Sequence, residues 1–149
     1  MKAVVQRVSS ASVKVEGQPN GEIGTGFVVL LGVWQGDTEA DCKWLAEKIA
    51  SLRVFTDEND KLNLSLADVG GAVLVVPNFT IAGDCRKGAR PSFIKAERPD
   101  AAIPLFELFK QTLRDKGLRV ESGEFGTYME VSLVNDGPIT LLVEHGANE

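Results

Sequence analysis

The stretch "FVVLLGVW", residues 27–34, is apolar at almost every position, and this run decides the fold class. A strand with one solvent-exposed face alternates apolar and polar residues, whereas a short continuous apolar run is typical of a strand covered on both faces. Before it, residues 3–8 and 12–16 do alternate, as half-buried strands do. We therefore expect the chain to open with β-structure and to place further layers against the 27–34 strand.

Two amphipathic helices are predicted after this opening. In "DTEADCKWLAEKIASL", residues 37–52, Thr38 and Asp41 have the spacing of a capping box. In "PDAAIPLFELFKQTLRDKG", residues 99–117, a helix is expected to begin at Asp100, to hold Pro104 near its first turn and to stop at Gly117. The side chains expected to face the core are Leu45, Ile49, Leu52, Ala102, Phe106, Phe109 and Leu113.

The remaining apolar runs predict more strands. "AVLVVPNFTI", residues 72–81, indicates a buried strand interrupted at Pro77. "VSLVNDGPITLLVE", residues 131–144, has an Asn-Asp-Gly tip between apolar runs, which predicts a β-hairpin with strands at about 127–134 and 138–144. No repeat or long linker divides the chain. We expect one mixed α/β domain over residues 1–149, in which the sheet outnumbers two main helices.

Charge and composition restrict the function. The net charge of −5 argues against a nonspecific nucleic-acid binder, which needs clustered cations to neutralise phosphates. One segment, "CRKGARPSFIKAER" at residues 85–98, is nevertheless basic. Its cations are Arg86, Lys87, Arg90, Lys95 and Arg98, and its single acid is Glu97. A phosphate-binding patch and a merely solvated loop are both open interpretations.

The cysteines and the apolar segments bear on the compartment. Cys42 and Cys85 form neither a CxxC pair nor a metal-ligand cluster, which is typical of free thiols in a reducing cytosol. The N-terminal run alternates and lacks the apolar core of a signal peptide, and no later stretch is long enough to cross a bilayer. The expectation is a soluble, cytoplasmic protein without a membrane partner.

Conventional catalytic machinery is scarce. The single histidine, His145, is the fifth residue from the end, where chains commonly fray, and no GxSxG or HExxH motif is present. "GEIGTG" lacks the Lys-Ser/Thr of a phosphate loop, and neither a metal site nor a cofactor is predicted. Thr80 and Thr140 each follow a proline that perturbs a strand and frees backbone amides. An enzyme built this way should act on an already activated bond.

Three segments together resemble one family. "QRVSSASVKVEG", "VLVVPNFTIAGDCRKGARPSF" and "MEVSLVNDGPIT" are similar, in order and spacing, to the D-aminoacyl-tRNA deacylases, and the similarity covers almost the whole chain. The resemblance implies a β-barrel-like mixed α/β fold and a homodimer with two active sites at the subunit interface. It also implies hydrolysis of the ester that joins a D-amino acid, or glycine, to the terminal adenosine of tRNA.

The resemblance also assigns roles to individual residues. Catalysis would rest on backbone N–H donors near Phe79 and Thr80, with the 2′-hydroxyl of the tRNA adenosine assisting the water. Arg7 would brace the Gly137-Pro138 turn, and the basic residues Arg86, Lys87 and Arg90 would contact tRNA. The substrate-binding residues would be Pro77, Asn78, Phe125, Met129, Asn135 and Thr140. By pattern alone, Phe79, Phe125 and Met129 fit core packing equally well.

Chirality is the role implied for the Gly-Pro pair. In the family the Gly137-Pro138 bond is cis, and the pair enters the neighbouring subunit's pocket with its carbonyls facing the substrate α-carbon. An L side chain would collide with this backbone, whereas hydrogen fits, so selection works by rejection. Glycine escapes such a filter because it has no side chain.

One motif departs from the family pattern, which usually reads Ser-Gln-Phe-Thr-Leu. Here Pro77 and Asn78 replace the first two residues, and Ile81 the last. Proline removes a hydroxyl and a backbone N–H, and a related group with proline at this position has relaxed chirality but lacks the phenylalanine. Phe79 and "NDGPIT" favour D-specificity. The alternatives are a deacylase with relaxed chirality, a noncatalytic RNA-binding module, and a thiol hydrolase using Cys85 or Cys42.

Overall fold

A computed structural model describes residues 1–146 of the chain. The strands are β1 (Lys2–Val15), β2 (Gln18–Ile23), β3 (Gly26–Gly32), β4 (Phe55–Thr56), β5 (Leu62–Leu64), β6 (Ala72–Pro77), β7 (Arg119–Ser122) and β8 (Met129–Glu144). The helices are α1 (Glu39–Ser51), α2 (Leu66–Val69) and α3 (Pro99–Asp115), and a 3-10 turn spans Phe79–Ala82.

The main sheet curls into a nearly closed barrel. Its strands follow the order β2-β1-β3-β6-β7, with β8 paired to the free side of β1, and β4 and β5 form a separate small ribbon. The β3–β6 and β6–β7 pairs are parallel, and the pairs of β1 are antiparallel. Between the ends of the sheet, Asn20 Nδ2 donates to the Ser122 carbonyl at 2.7 Å and Arg119 donates to the Glu22 carbonyl at 3.0 Å. The predicted barrel-like mixed α/β fold is confirmed.

Strand β3 is covered on both faces, as its apolar run predicts. Phe27 and Val29 face a core shared with α1 and α3, whereas Val28 faces a second core inside the barrel. All three are inaccessible to solvent. Burying a side chain of this size stabilises the fold by about 1.5–3 kcal/mol, so β3 holds the two layers together.

Both predicted helices are present, with two differences. The capping box of Thr38 and Asp41 begins α1, and both of its hydrogen bonds form. Helix α3 begins at Pro99, one residue before the expected Asp100, and Pro104 lies in its second turn instead of near the first. A short third helix, α2, was not expected; Ser65 and Asp68 cap it with a second capping box.

The C-terminal hairpin prediction is wrong. Strand β8 runs in one direction along the whole of β1, from Met129 opposite Val15 to Glu144 opposite Lys2. The Asn-Asp-Gly sequence is therefore not a chain reversal. Asn135 pairs with Val8 and Thr140 with Gln6, so the four residues 136–139 stand opposite one residue, and we call residues 136–139 the bulge. The Gly137-Pro138 bond within the bulge is cis.

His145 is held in place, in contrast to the predicted fraying. Its Nδ1 lies 3.0 Å from Asp41 Oδ1, and its ring stacks on Trp44 at a centroid distance of 4.2 Å. Its carbonyl accepts from the Met1 ammonium at 2.7 Å, and the same ammonium pairs with Asp37 at 2.7 Å. These contacts hold His145, the single histidine of the sequence, against the first turns of α1.

Candidate active site

A broad cleft lies where β6 ends beside the start of β8. This cleft has a volume of about 680 Å³. It is lined by Leu30, Val76, Pro77, Asn78, Phe79, Pro99, Phe125, Gly126, Thr127, Tyr128, Met129, Val131 and Leu133. Five of the sequence-predicted substrate and catalytic positions, Pro77, Asn78, Phe79, Phe125 and Met129, thus share one cavity. Tyr128 is the one ionisable side chain among these lining residues.

One wall of the cleft is the end of β6 and the 3-10 turn that follows. The Asn78 amide donates to the Leu31 carbonyl at 2.8 Å, which fixes the chain as it leaves the sheet. The amides of Phe79 and Thr80 are the first two of the turn, so no carbonyl within the turn accepts from them. The Thr80 hydroxyl donates to Asn78 Oδ1, so its proton is already engaged. Pro77 closes β6 without an N–H to contribute.

The facing wall depends on a glycine that the sequence patterns did not single out. A Cβ on Gly123 would lie 2.5 Å from Met129 Sδ and 3.5 Å from Pro77 Cδ. Behind this contact, the Gly123 amide donates to the Val75 carbonyl at 2.9 Å. Phe125 makes an edge contact with Phe106 of the core at 6.3 Å. The absence of a side chain at Gly123 therefore leaves room for the thioether of Met129 in this wall.

The Gly-Pro pair lies at a different place in the chain. Asn135 Oδ1 accepts from the Ile139 amide at 2.9 Å, and Asn135 Nδ2 donates to Thr140 Oγ1 at 2.9 Å. These two hydrogen bonds connect the two ends of the bulge. Gly137 and Pro138 are exposed. Among the described residues, none from 135–140 lines the cleft. One chain thus presents a pocket and a protruding bulge that do not meet within it.

Arg7 braces the bulge from beneath. Its Nε donates to the Asp136 carbonyl at 2.8 Å, and its NH1 group donates to the Val54 carbonyl at 2.9 Å and to Thr56 Oγ1 at 3.1 Å. Only 8% of the residue is exposed, although it carries a charge. The four residues of the bulge stand opposite Arg7, so its guanidinium supplies a hydrogen bond to the bulge where the regular ladder is interrupted.

The basic segment is a loop after the 3-10 turn. Lys87 and Arg90 are exposed. Arg86 is paired with Asp84, with NH2 to Oδ2 at 2.6 Å, and this guanidinium lowers the pKa of Asp84 to about 2. The Asp84 and Ser92 backbones also exchange two hydrogen bonds. The charge of Arg86 is therefore partly balanced, whereas Lys87 and Arg90 are exposed and form no ion pair with any residue from 1 to 146.

The two thiols differ in environment. Cys42 is buried, its Sγ donates to the Leu105 carbonyl at 3.2 Å, and burial raises the pKa of its thiol to about 12. Such a thiol is not a nucleophile at neutral pH. Cys85 is exposed in the basic segment and lines no part of the cleft. Across residues 1–146, no three His, Cys, Asp or Glu side chains are grouped as metal ligands, and no helix there is long and apolar enough to span a membrane.

Comparison with known sequences identifies relatives over nearly the whole chain. Residues 4–144 match the family model described as D-Tyr-tRNA(Tyr) deacylase. The D-aminoacyl-tRNA deacylase of Thermus aquaticus is 58% identical over 144 residues, covering 97% of this chain and 95% of that one. The D-aminoacyl-tRNA deacylase of Geobacillus sp. (strain WCH70) is 54% identical with the same coverage.

Comparison with solved structures shows the same fold. The c-Myc DNA unwinding element binding protein superimposes with a TM-score of 0.91 at 40% identity, covering 99% of this chain and 100% of the other. A probable eukaryotic D-amino acid tRNA deacylase shares the fold at 17% identity, with a TM-score of 0.83 and coverage of 97% and 98%. The sequence matches extend from β1 through β8 and include both the cleft and the bulge. The chain therefore belongs to the D-Tyr-tRNA(Tyr) deacylase family.

Proposed function

We propose that the protein hydrolyses the ester of D-aminoacyl-tRNA and of mischarged glycyl-tRNA. The observation that carries this proposal is the cleft itself, whose lining residues are mostly apolar and include no carboxylate, imidazole, amine or thiol, the phenol of Tyr128 being their one ionisable group. Such a site suits an ester, an acyl group that already has a good leaving oxygen. Positioning and oxyanion donors can then supply most of the rate acceleration.

The chemistry is assigned to the backbone of the 3-10 turn. The Phe79 and Thr80 amides would donate to the oxyanion that forms when water attacks the ester carbonyl, and the adenosine 2′-hydroxyl would assist that water. Hydrolysis breaks the acyl C–O bond, water supplies the hydroxyl of the released amino acid, and its remaining proton goes to the departing ribose oxygen. We assign no nucleophilic role to Thr80, because its hydroxyl donates to Asn78 Oδ1, an amide oxygen that is not a base.

The complete site is assigned to a homodimer. The bulge and the cleft are separate within one chain, and insertion of the bulge into a partner's cleft would unite them. Among residues 1–146, β8 pairs only with β1, and Val134 and Leu142 on it are 56% and 74% exposed. A long edge strand with exposed apolar side chains is suited to pairing with a second copy, and a two-fold axis would form two equal sites.

Chiral selection is assigned to Gly137 and Pro138. Their carbonyls would face the substrate α-carbon and reject an L side chain, while D-amino acids and glycine present hydrogen there. Pro77 lies in the cleft that would receive the partner's bulge, but Phe79 and the segment "NDGPIT" match the D-specific pattern. We therefore favour D-specificity over relaxed chirality.

The tRNA body is assigned to the basic segment. Lys87 and Arg90 are free to contact phosphates, and Arg86 can do so when it leaves Asp84. Phosphate contacts position a substrate without reading its sequence, which fits an enzyme that must accept tRNAs of several kinds. We place the reaction in the cytoplasm, where aminoacyl-tRNA is used.

Release of D-tyrosine from charged tRNA by the purified protein tests this function. We expect multiple turnovers, and we expect them to persist when Cys42 and Cys85 are both changed to alanine. Binding of tRNA without turnover would instead indicate a noncatalytic RNA-binding module. Turnover by the wild type that disappears in the double cysteine variant would indicate a thiol hydrolase. The raised pKa of Cys42 argues against that outcome.

A further inference from the structure

One exposed aromatic side chain in the cleft has no part in the proposed chemistry. Tyr128, the single tyrosine of the sequence, lines the cleft and is 69% exposed. Within residues 1–146 its phenol has no hydrogen-bond partner. The residues on either side of it along the cleft, Thr127 and Met129, are half-buried. Tyr128 thus stands at the rim, and its ring is available to a ligand.

The backbone beneath Tyr128 is firmly placed. Its amide donates to Glu16 Oε1 at 3.0 Å, and its carbonyl accepts from the Glu16 amide at 3.0 Å. Glu16 adopts a φ of 49°, which a non-glycine residue rarely does, and this turn carries both contacts. A side chain on a fixed backbone loses less freedom when it binds a ligand, so Tyr128 is well placed to form a contact surface.

A second exposed ring lies on the facing wall. Phe79 is 54% exposed and lines the same cleft, and its outer neighbour Phe93 contacts it edge-on at 5.3 Å. Exposed aromatic rings on both walls of an uncharged cleft suit flat, apolar-faced ligands. Unpaired nucleobases are such ligands, and single-stranded RNA is commonly held by bases stacked on aromatic side chains.

We propose that Tyr128 stacks on the base of the nucleotide that precedes the terminal adenosine of tRNA. This inference rests on the proposed function, in which the half-buried residues Phe125 and Met129 hold the adenosine. The aminoacyl end is unpaired, so the next base lies outside that inner pocket and reaches the rim. Stacking requires only a π face, so the contact tolerates any base and acts on binding, not on ester cleavage.

Two substrates of different length test the contact. We expect Tyr128→Ala to raise KM for D-tyrosyl-tRNA about tenfold with kcat unchanged, the usual effect of losing one stacked base. The D-tyrosyl ester of adenosine alone lacks the preceding nucleotide, and its KM should not change. Tyr128→Phe, which keeps the ring, should behave as the wild type. The control is Leu62→Ala, which removes an exposed side chain of β5 outside the cleft.

An equal rise in KM for both substrates would overturn the proposal, because Tyr128 would then contact the adenosine itself. An unchanged KM for both would overturn it as well. A second measurement does not depend on catalysis. It compares the affinities for two RNA hairpins without an amino acid, one with an intact nucleotide before the terminal adenosine and one with an abasic nucleotide there. Tyr128→Ala should weaken binding of the intact hairpin only, and equal weakening of both would contradict stacking on that base. If this binding difference appears without any deacylation, the proposed function fails while the stacking contact stands.

Discussion

The guanidinium of Arg7 donates to the carbonyl of Asp136 at 2.8 Å, which ties a buried cation in β1 to the base of the bulge in β8. The same side chain reaches Val54 and Thr56 on the segment that enters the small ribbon. The guanidinium of Arg7 therefore connects three backbone segments: β1, the bulge and the segment that leads into β4. We expect the shape of the bulge, and with it the position of Gly137, to depend on these hydrogen bonds of Arg7.

Arg7→Lys should destabilise the fold and disturb the bulge. Lysine keeps the charge but carries all its donors on one nitrogen, which cannot reach both the Asp136 and the Val54 carbonyls as the wider guanidinium does, so a buried carbonyl loses its partner. We expect a loss of about 1.5–3 kcal/mol in the free energy of unfolding, measured by urea titration, together with lower deacylation. The matched control is Arg53→Lys, at an exposed arginine that also donates to a carbonyl, with an expected change within about 0.5 kcal/mol. Equal losses in the two variants would contradict a special role for Arg7.

Gly137→Ala should lower D-aminoacyl-tRNA deacylation by about 100-fold or more, because small displacements of a positioning group have effects of that size. The φ of Gly137 is +146°, and a Cβ there would lie 2.7 Å from the Ile139 amide nitrogen, so the bulge itself must shift. The comparison is Gly24→Ala, where nothing lies within 4 Å of the added Cβ. Retention of full activity by Gly137→Ala would show that the bulge is not part of the site.

Complementation between two inactive variants tests whether the bulge of one chain serves the cleft of another. Val131→Trp should fill the cleft, whereas Gly137→Ala should damage the bulge. If each site combines two chains, coexpression should restore about a quarter of wild-type activity, since half of the dimers are mixed and each has one intact site. No restoration, with mixed dimers verified by mass, would mean that each chain supplies its own site.

The pH dependence of stability should reveal the capping box of α1. The hydrogen bond from the Thr38 amide lowers the pKa of Asp41, an effect that outweighs its desolvation, and the Thr38 hydroxyl and His145 lower it further. A carboxylate with a lowered folded-state pKa stabilises the protein above its unfolded-state pKa, and this contribution disappears as the pH falls through the folded-state pKa. Asp41→Asn should thus be less stable than the wild type at pH 5, and the two should converge once the pH falls below the folded-state pKa of Asp41.

Urea titrations of the wild type and Asp41→Asn from pH 5 to pH 2 measure this difference. Glu47→Gln, at an exposed carboxylate of the same helix, serves as the control and should show a much smaller difference at pH 5. A gap between wild type and Asp41→Asn that stays constant down to pH 2 would mean that the Asp41 charge contributes nothing to the cap.

Local patterns predicted most of the elements because their causes are local. The apolar run of β3 and the capping box of α1 carry their signals within a few residues, and both are present in the structure. The hairpin prediction failed because Asn-Asp-Gly is turn chemistry, whereas the direction of β8 is set by its pairing with distant β1 and by Arg7. Pairing partners far apart in sequence leave no mark on a local pattern.

The candidate site was predicted in part for a similar reason. The family resemblance pointed to Phe79, Phe125 and Met129, which do line one cleft. Gly123 and Tyr128 were missed, because a close approach to Met129 and an exposed rim position are properties of the folded chain. The sequence shows a glycine directly after β7, but it does not show that this glycine contacts Met129.

The ratio of D-tyrosyl to L-tyrosyl release from tRNA is the most direct test of the proposed editing reaction. Purified wild-type protein should be mixed in excess with each charged tRNA, and the single-turnover rate of ester loss should be compared with spontaneous hydrolysis. We expect the D-ester to be cleaved at least about tenfold faster than the L-ester, which corresponds to about 1.4 kcal/mol of discrimination. A ratio near one, or no acceleration of either ester over the uncatalysed rate, would contradict a chiral deacylase.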